Sequence, residues 1–88
     1  MSQIIRRAVA GTMESSDVFV ELEPADGLTV ELDSVVKKQF GDEIRRVALQ
    51  VLAEKGIDAA RLHMVDRGAL SCVIRARVET AADRAKGE

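Results

Sequence analysis

The apolar residues of this chain change their spacing at Asp33. Before it, Val18, Val20 and Leu22 alternate with Phe19, Glu21 and Glu23, and Leu28, Val30 and Leu32 alternate with Thr29 and Glu31. That is the period of a strand with one buried face. After it, Val36, Phe40, Ile44, Val47 and Val51 recur at steps of four, four, three and four, which is one stripe of a helix. A chain that must cover both a sheet face and a helix stripe does so most economically by laying the helix on the sheet.

The remaining elements follow from this frame. Ala8 to Met13 reads as a short strand whose start reaches back toward Ile4, and Glu14 to Asp17 as a turn. Pro24-Ala25-Asp26-Gly27 is a second turn, which predicts a hairpin between the strands on either side. Asp33 or Ser34 is placed to N-cap the helix, and Gly56, just after Glu54-Lys55, to stop it. Gly41 inside the helix costs about 1 kcal/mol relative to Ala and marks either a break or a close packing contact. Ala60, Leu62 and Met64 alternate with Arg61 and His63, Asp66-Arg67-Gly68 turns, and Leu70, Cys72, Ile74, Ala76 and Val78 alternate with Ser71, Val73, Arg75, Arg77 and Glu79. These predict a second hairpin with a long final strand. The polar tail from about Ala81 is expected to fray. The expected fold is α+β: residues 1–88 as one domain, β-β-β-α-β-β, an antiparallel sheet of about five strands with one long helix on one face.

Composition removes several function classes. A domain of 88 residues buries roughly two-thirds of its surface, which disfavours a deep enzyme pocket. The net charge is −2 with both signs interspersed, and Phe19 and Phe40 are the only aromatics. Neither a phosphate-binding footprint nor a base-stacking platform is present, so nucleic acid is not an expected partner. The short basic clusters Arg6-Arg7, Arg45-Arg46 and Arg75/Arg77 read as solvated faces. The single cysteine excludes an internal disulfide. No apolar run approaches the roughly 20 residues of a membrane span, and no signal-peptide h-region is visible. The expected compartment is a reducing cytoplasm.

Few residues carry chemistry. Cys72 lies in phase with Leu70 and Ile74 and reads as a buried core thiol. His63 lies on the polar phase of its strand with no partner arrangement for catalysis. Glu21, Glu23 and Glu31 lie on an outer face. No ligand set for a metal is visible, and neither is a phosphate loop with its lysine. What remains is Gly11-Thr12-Met13-Glu14-Ser15-Ser16-Asp17: two serines beside acids, between two strand-like runs. Turn chemistry alone accounts for such a segment. A serine at a turn tip also offers a primary hydroxyl that a modifying enzyme can reach. Leu32-Asp33-Ser34-Val35 superficially resembles the Asp-Ser-Leu attachment signature of fatty-acid-type acyl carriers. Those are acidic helical bundles, and Asp33 and Ser34 are better explained as helix caps.

Three longer segments narrow the choice. Ala8 to Asp17, Val35-Val36-Lys37-Lys38-Gln39-Phe40-Gly41-Asp42, and Asp66-Arg67-Gly68-Ala69-Leu70-Ser71-Cys72-Val73-Ile74-Arg75-Ala76-Arg77 together resemble the acyl carrier proteins (γ subunits) of citrate lyase over most of the chain. The resemblance implies that Ser15, directly after Glu14, carries the prosthetic group. It implies 2′-(5″-triphosphoribosyl)-3′-dephospho-coenzyme A as that group, joined through a phosphodiester to give a phosphoribosyl-dephospho-CoA arm. Its thiol would carry acetyl and then citryl. The implied partners are a prosthetic-group transferase, an α subunit that exchanges acetate for citrate, and a β subunit that cleaves the citryl thioester to oxaloacetate. This chain would itself be a non-catalytic carrier, mounting a cofactor that supplies the chemistry.

Two other readings stand beside it. One is a carrier in a related citramalate lyase or malonate decarboxylase complex, the other an α+β interaction module with no prosthetic group. Glu14 and Asp17 flank the serines, and no arginine lies between Thr12 and Leu22, which implies an extended, mobile arm. The alternative is an arm held through the fold by Arg67 or Arg75.

Overall fold

A computed structural model describes residues 4–35 and 37–87. Its elements are β1 (Ala8–Ala10), β2 (Val18–Glu23), β3 (Leu28–Ser34), α1 (Lys37–Glu54), β4 (Ala60–Asp66) and α2 (Ser71–Ala85). The four strands form one sheet in the order β1-β2-β4-β3. β1 pairs with β2 and β2 with β4 antiparallel, whereas β3 pairs with β4 in parallel. The fold is therefore α+β with a mixed sheet and two helices.

The alternation in β2 and β4 buries one face. Val18, Val20, Leu22, Ala60, Leu62 and Met64 are all fully buried. On the opposite face Arg61 pairs with Glu23 and Glu31 at 2.9 and 3.0 Å, and Arg7 with Glu21. Both helices lie over the apolar face, α1 against β3 and α2 against β1 and β2, and they pack on each other. Ile44, Val47, Ala48, Val51 and Leu52 form the buried stripe of α1, and Ile74, Val78, Ala81, Ala82 and Ala85 that of α2.

The expected helix is present and runs unbroken through a buried Gly41. Its stripe begins at Ile44; Phe40 is exposed, and Val36 lies outside the described residues. Gly56 ends the helix as expected. At φ +73° it donates its N–H to Ala53 C=O (3.0 Å) while Ile57 N–H reaches Leu52 C=O (2.9 Å), the two bonds of a Schellman motif.

Four expectations are corrected. First, the sheet is mixed and has four strands, not an antiparallel five. The β2–β3 connection is not a hairpin, because β4 lies between the two strands. β3-α1-β4 is instead a crossover unit, and a helix between two strands returns the chain in the same direction, which makes parallel pairing natural. Second, the predicted final strand from Leu70 is helix α2. Third, the expected frayed tail belongs to that helix: Ala81, Ala82 and Ala85 are fully buried, and Ala85 C=O accepts from Ile5 N–H at 2.9 Å. Fourth, β3 extends through Asp33 and Ser34, and α1 begins only at Lys37. The Ser34 hydroxyl donates to Asp66 Oδ2 at 2.8 Å.

Candidate functional site

Ser15 lies in the connection between β1 and β2. Asp17 N–H donates to Glu14 C=O at 3.2 Å, closing a β-turn with Ser15 and Ser16 at its two central positions. Ser16 has φ +66°, while Ser15 keeps a negative φ. That is the sign pattern of a type II turn. Ser15 is exposed at the tip, and among the described residues nothing is hydrogen-bonded to its hydroxyl.

The turn is braced from three sides. Within it, Thr12 Oγ1 donates to Asp17 Oδ2 (2.7 Å) and accepts from Glu14 N–H (3.2 Å). From α2, Arg77 grips the same carboxylate as a fork, Nε to Oδ1 and Nη2 to Oδ2, both at 3.0 Å. Val18 N–H adds a bond to Oδ1 at 2.7 Å. The Arg77 guanidinium, helped by Thr12 and the Val18 N–H, outweighs burial and holds the Asp17 carboxyl at about 2, below its ordinary 3.8. From the β4–α2 turn, Arg67 C=O accepts Ser16 N–H (2.8 Å) and Arg67 N–H donates to Asp17 C=O (2.9 Å).

The β4–α2 turn is itself fixed from below. Asp66 is buried, and its Oδ1 accepts Ala69 N–H at 2.9 Å while its Oδ2 takes the Ser34 hydroxyl. Gly11 starts the loop at φ +87°, so close to β2 that a Cβ there would stand 1.8 Å from Val18 C=O. The result is a stiff frame presenting two exposed primary hydroxyls, those of Ser15 and Ser16, at the tip of one turn.

The other residues singled out from the sequence fall elsewhere. His63 lies on the outer sheet face, its Nδ1 3.9 Å from Glu21, and Glu21, Glu23 and Glu31 pair with arginines on that face. Cys72 is exposed, not a core thiol, because α2 turns its side chain away from the stripe led by Ile74. Among the described residues no group of three or more potential metal ligands converges, and no helix is long and apolar enough to cross a membrane. The bracing pair Asp17–Arg77 was not visible in the sequence. Its members are 60 positions apart, and the alternation from Leu70 to Val78 predicts a strand at Arg77 where the fold has a helix.

The chain as a whole is similar to known proteins. A family model described as ACP, malonate decarboxylase delta subunit (MdcD), matches residues 5–85. The citrate lyase acyl carrier protein of Haemophilus influenzae (strain PittEE) is 52% identical over 86 residues, covering 98% of this chain and 90% of that protein. That of Escherichia fergusonii is 52% identical over 94% of this chain and 88% of its own length. That of Streptococcus mutans is 50% identical over 93% and 82%. In three dimensions, a chain of the Pseudomonas malonate decarboxylase hetero-tetramer, crystallised with malonate, superposes with a TM-score of 0.78 at 23% identity, covering 90% of this chain and 82% of that one. What is shared at that identity is the fold. The chain belongs to this acyl carrier protein family, and within it to the citrate lyase acyl carrier proteins.

Proposed function

We propose that this chain is the acyl carrier subunit of a citrate lyase and that Ser15 is the attachment point of its prosthetic group. The assignment of the residue is supported by Ser15 standing directly after Glu14, where the citrate lyase carriers have their attachment serine, exposed in a braced turn with its hydroxyl unengaged. Ser16, the other candidate, has its N–H committed to Arg67 C=O and its backbone held at positive φ. Ser34 gives its hydroxyl to Asp66 within the fold.

Attachment is a phosphoryl substitution carried out by a transferase. Ser15 Oγ forms a bond to the innermost phosphorus of a triphosphoribosyl donor, the bond to pyrophosphate breaks, and the serine proton leaves with a base of the transferase. The attached 2′-(5″-phosphoribosyl)-3′-dephospho-coenzyme A supplies a thiol on a long arm. This chain's own part is to hold the root of the arm rigid and to leave the rest free to visit partner active sites, where tethering raises the local concentration of the acyl group. An acyl-exchanging α subunit and a citryl-cleaving β subunit are the partners this requires, in a cytoplasmic complex. The subunit alone is expected to have no lyase activity. Malonate decarboxylase uses the same fold, but at 23% identity against about half for the citrate lyase carriers, so the citrate lyase reading leads.

Co-expression with a citrate lyase prosthetic-group transferase, followed by intact mass and peptide mapping, tests the assignment. Wild type and Ser16→Ala should gain the mass of one arm on the peptide holding Ser15, and Ser15→Ala should gain none. A loaded Ser15→Ala protein, or an arm mapped to Ser34, overturns it. Citrate cleavage on mixing the loaded chain with citrate lyase α and β subunits, against no malonate decarboxylation on mixing it with malonate decarboxylase subunits, tests the choice of complex.

A further inference from the structure

The start of α2 breaks a local rule. Its N-cap is Leu70, with no side-chain hydrogen bond to the free N–H groups of the first turn, where Ser, Thr, Asp or Asn is strongly preferred. Leu70 is also 71% exposed, and Phe40, in the first turn of α1, is 51% exposed. Two large apolar side chains in water at two helix starts contribute little to folding. Departures of this kind from local consistency are expected at functional sites.

These residues edge one concave feature. A groove of about 350 Å³ is lined by Phe40, Ile44, Ala69, Leu70 and Ile74, with Glu43 and Ser71 among its polar groups. That volume and mainly apolar lining fall in the range of small-molecule sites. Gly68 also lines it, and the peptide bond joining Arg67 to Gly68 is the one whose carbonyl accepts the Ser16 N–H. The groove thus begins one peptide unit from the attachment turn. Any arm long enough to reach a partner's active site is long enough to fold back into it.

The charges at this end of the molecule are mixed: Glu14, exposed beside Ser15, opposes a phosphate, and Arg67 attracts one. Asp17, which by sequence repels phosphate, is already neutralised by Arg77. Arg75 is taken by Glu54 at 2.6 Å. Arg67 is exposed, and among the described residues nothing pairs with its side chain.

We propose that the groove between Phe40 and Leu70 is a resting berth for the pantetheine segment of the arm carried on Ser15, with Arg67 drawing the arm's phosphates to its lip. The inference rests on the attachment at Ser15 proposed above. A chain in which one gem-dimethyl carbon and two short methylene segments are separated by amides matches apolar walls edged by a carboxylate and a hydroxyl. Docking is loose and reversible, because the groove is open and the guanidinium exposed. Between visits the berth shields the thioester from water and keeps the arm off other surfaces.

NMR of the transferase-loaded protein tests this, with intact mass taken first so that a failure of loading is read against Ser15 and not against the berth. In loaded wild type, the amides of Gly68, Ala69 and Leu70 and the Phe40 ring should shift relative to the unloaded protein. The pantetheine resonances should relax several-fold faster than those of the free cofactor. Leu70→Asp, which supplies a good N-cap while placing a charge in the groove, should restore slow relaxation. Phe40→Ala should do so in part, and Arg67→Gln should make docking weaker and less sensitive to salt. Sharp, slowly relaxing arm resonances in loaded wild type, with no shifts at the groove, overturn the berth. Shifts that arise only when a partner subunit is added also overturn it and make the groove a partner surface.

Discussion

Arg77, on the second helix, holds Asp17, at the foot of the serine turn, through two parallel N–H to carboxylate bonds of 3.0 Å across 60 residues of sequence. This fork ties the orientation of the attachment turn to the packing of α2 on the sheet. Replacing Arg77 with Met keeps the length of the stem and removes both bonds. The cost to folding should be about 1–2 kcal/mol, the low part of the range for charged hydrogen bonds because the arginine is partly solvated. Urea unfolding measures it. Amide exchange at Ser16, whose N–H reaches Arg67 C=O, should accelerate beyond what the global loss explains, because the turn loosens locally.

The same pair predicts an acid limb of stability. The Asp17 carboxyl lies at about 2 in the folded chain against an ordinary 3.8. A folded value below the unfolded one means that the unfolded chain binds more protons in that interval, so stability rises with pH there. The contribution is fully present above about pH 4 and is lost as pH falls toward about 2. It should amount to about 1–2 kcal/mol after solvent screening. Thermal melts across that interval should show the loss in wild type and a flatter profile in Arg77→Met. Equal slopes in the two proteins would show that another carboxylate governs the limb.

Gly11→Ala should be among the most damaging single changes in the molecule. The new Cβ would meet Val18 C=O at 1.8 Å and its carbonyl carbon at 3.0 Å, from a backbone at φ +87°. Both obstacles are backbone, so no side chain can move aside. A loss of about 3 kcal/mol or more is expected, read as a lowered urea midpoint. Far-UV circular dichroism in the absence of denaturant checks that folded protein is being compared.

Ser16→Gly should be neutral or stabilising by up to about 1 kcal/mol. Serine at φ +66° carries about 1 kcal/mol or more of left-handed strain that glycine lacks. The greater freedom of glycine in the unfolded chain returns about 0.4–1 kcal/mol of that. Ser16→Val, β-branched at positive φ, should be clearly destabilising. Chemical denaturation of the three proteins orders them, and all three should still load at Ser15.

Much of this molecule is legible from spacing and local chemistry. The alternation of Val18, Val20 and Leu22 and of Ala60, Leu62 and Met64 identifies two strands and the face each buries. The stripe from Ile44 to Val51 identifies α1, and Gly56 its end. The segment from Leu70 to Val78 is ambiguous in sequence for a definite reason. Its two deeply buried members, Ile74 and Val78, are four apart, and a step of four satisfies both the strand period and nearly one turn of helix. Ala81, Ala82 and Ala85, which extend the helical stripe, were the available tie-breaker, together with the helix-favouring Ala, Arg and Glu around them.

By itself the sequence determined the elements whose apolar period is unambiguous, the turn that presents Ser15, and the family whose motifs it carries. Those properties are local, or are preserved as linear strings. Only the tertiary structure decided that β4 enters between β2 and β3, that Asp17 belongs to Arg77, and that Arg67 and the groove beyond it stand beside the serine turn. Each of these is a choice among distant partners with similar local credentials. Any of several arginines can neutralise an aspartate, and any exposed edge can accept a strand. The choice is made by which arrangement buries the apolar faces of four strands and two helices together, a property of the whole packed chain and of no segment within it.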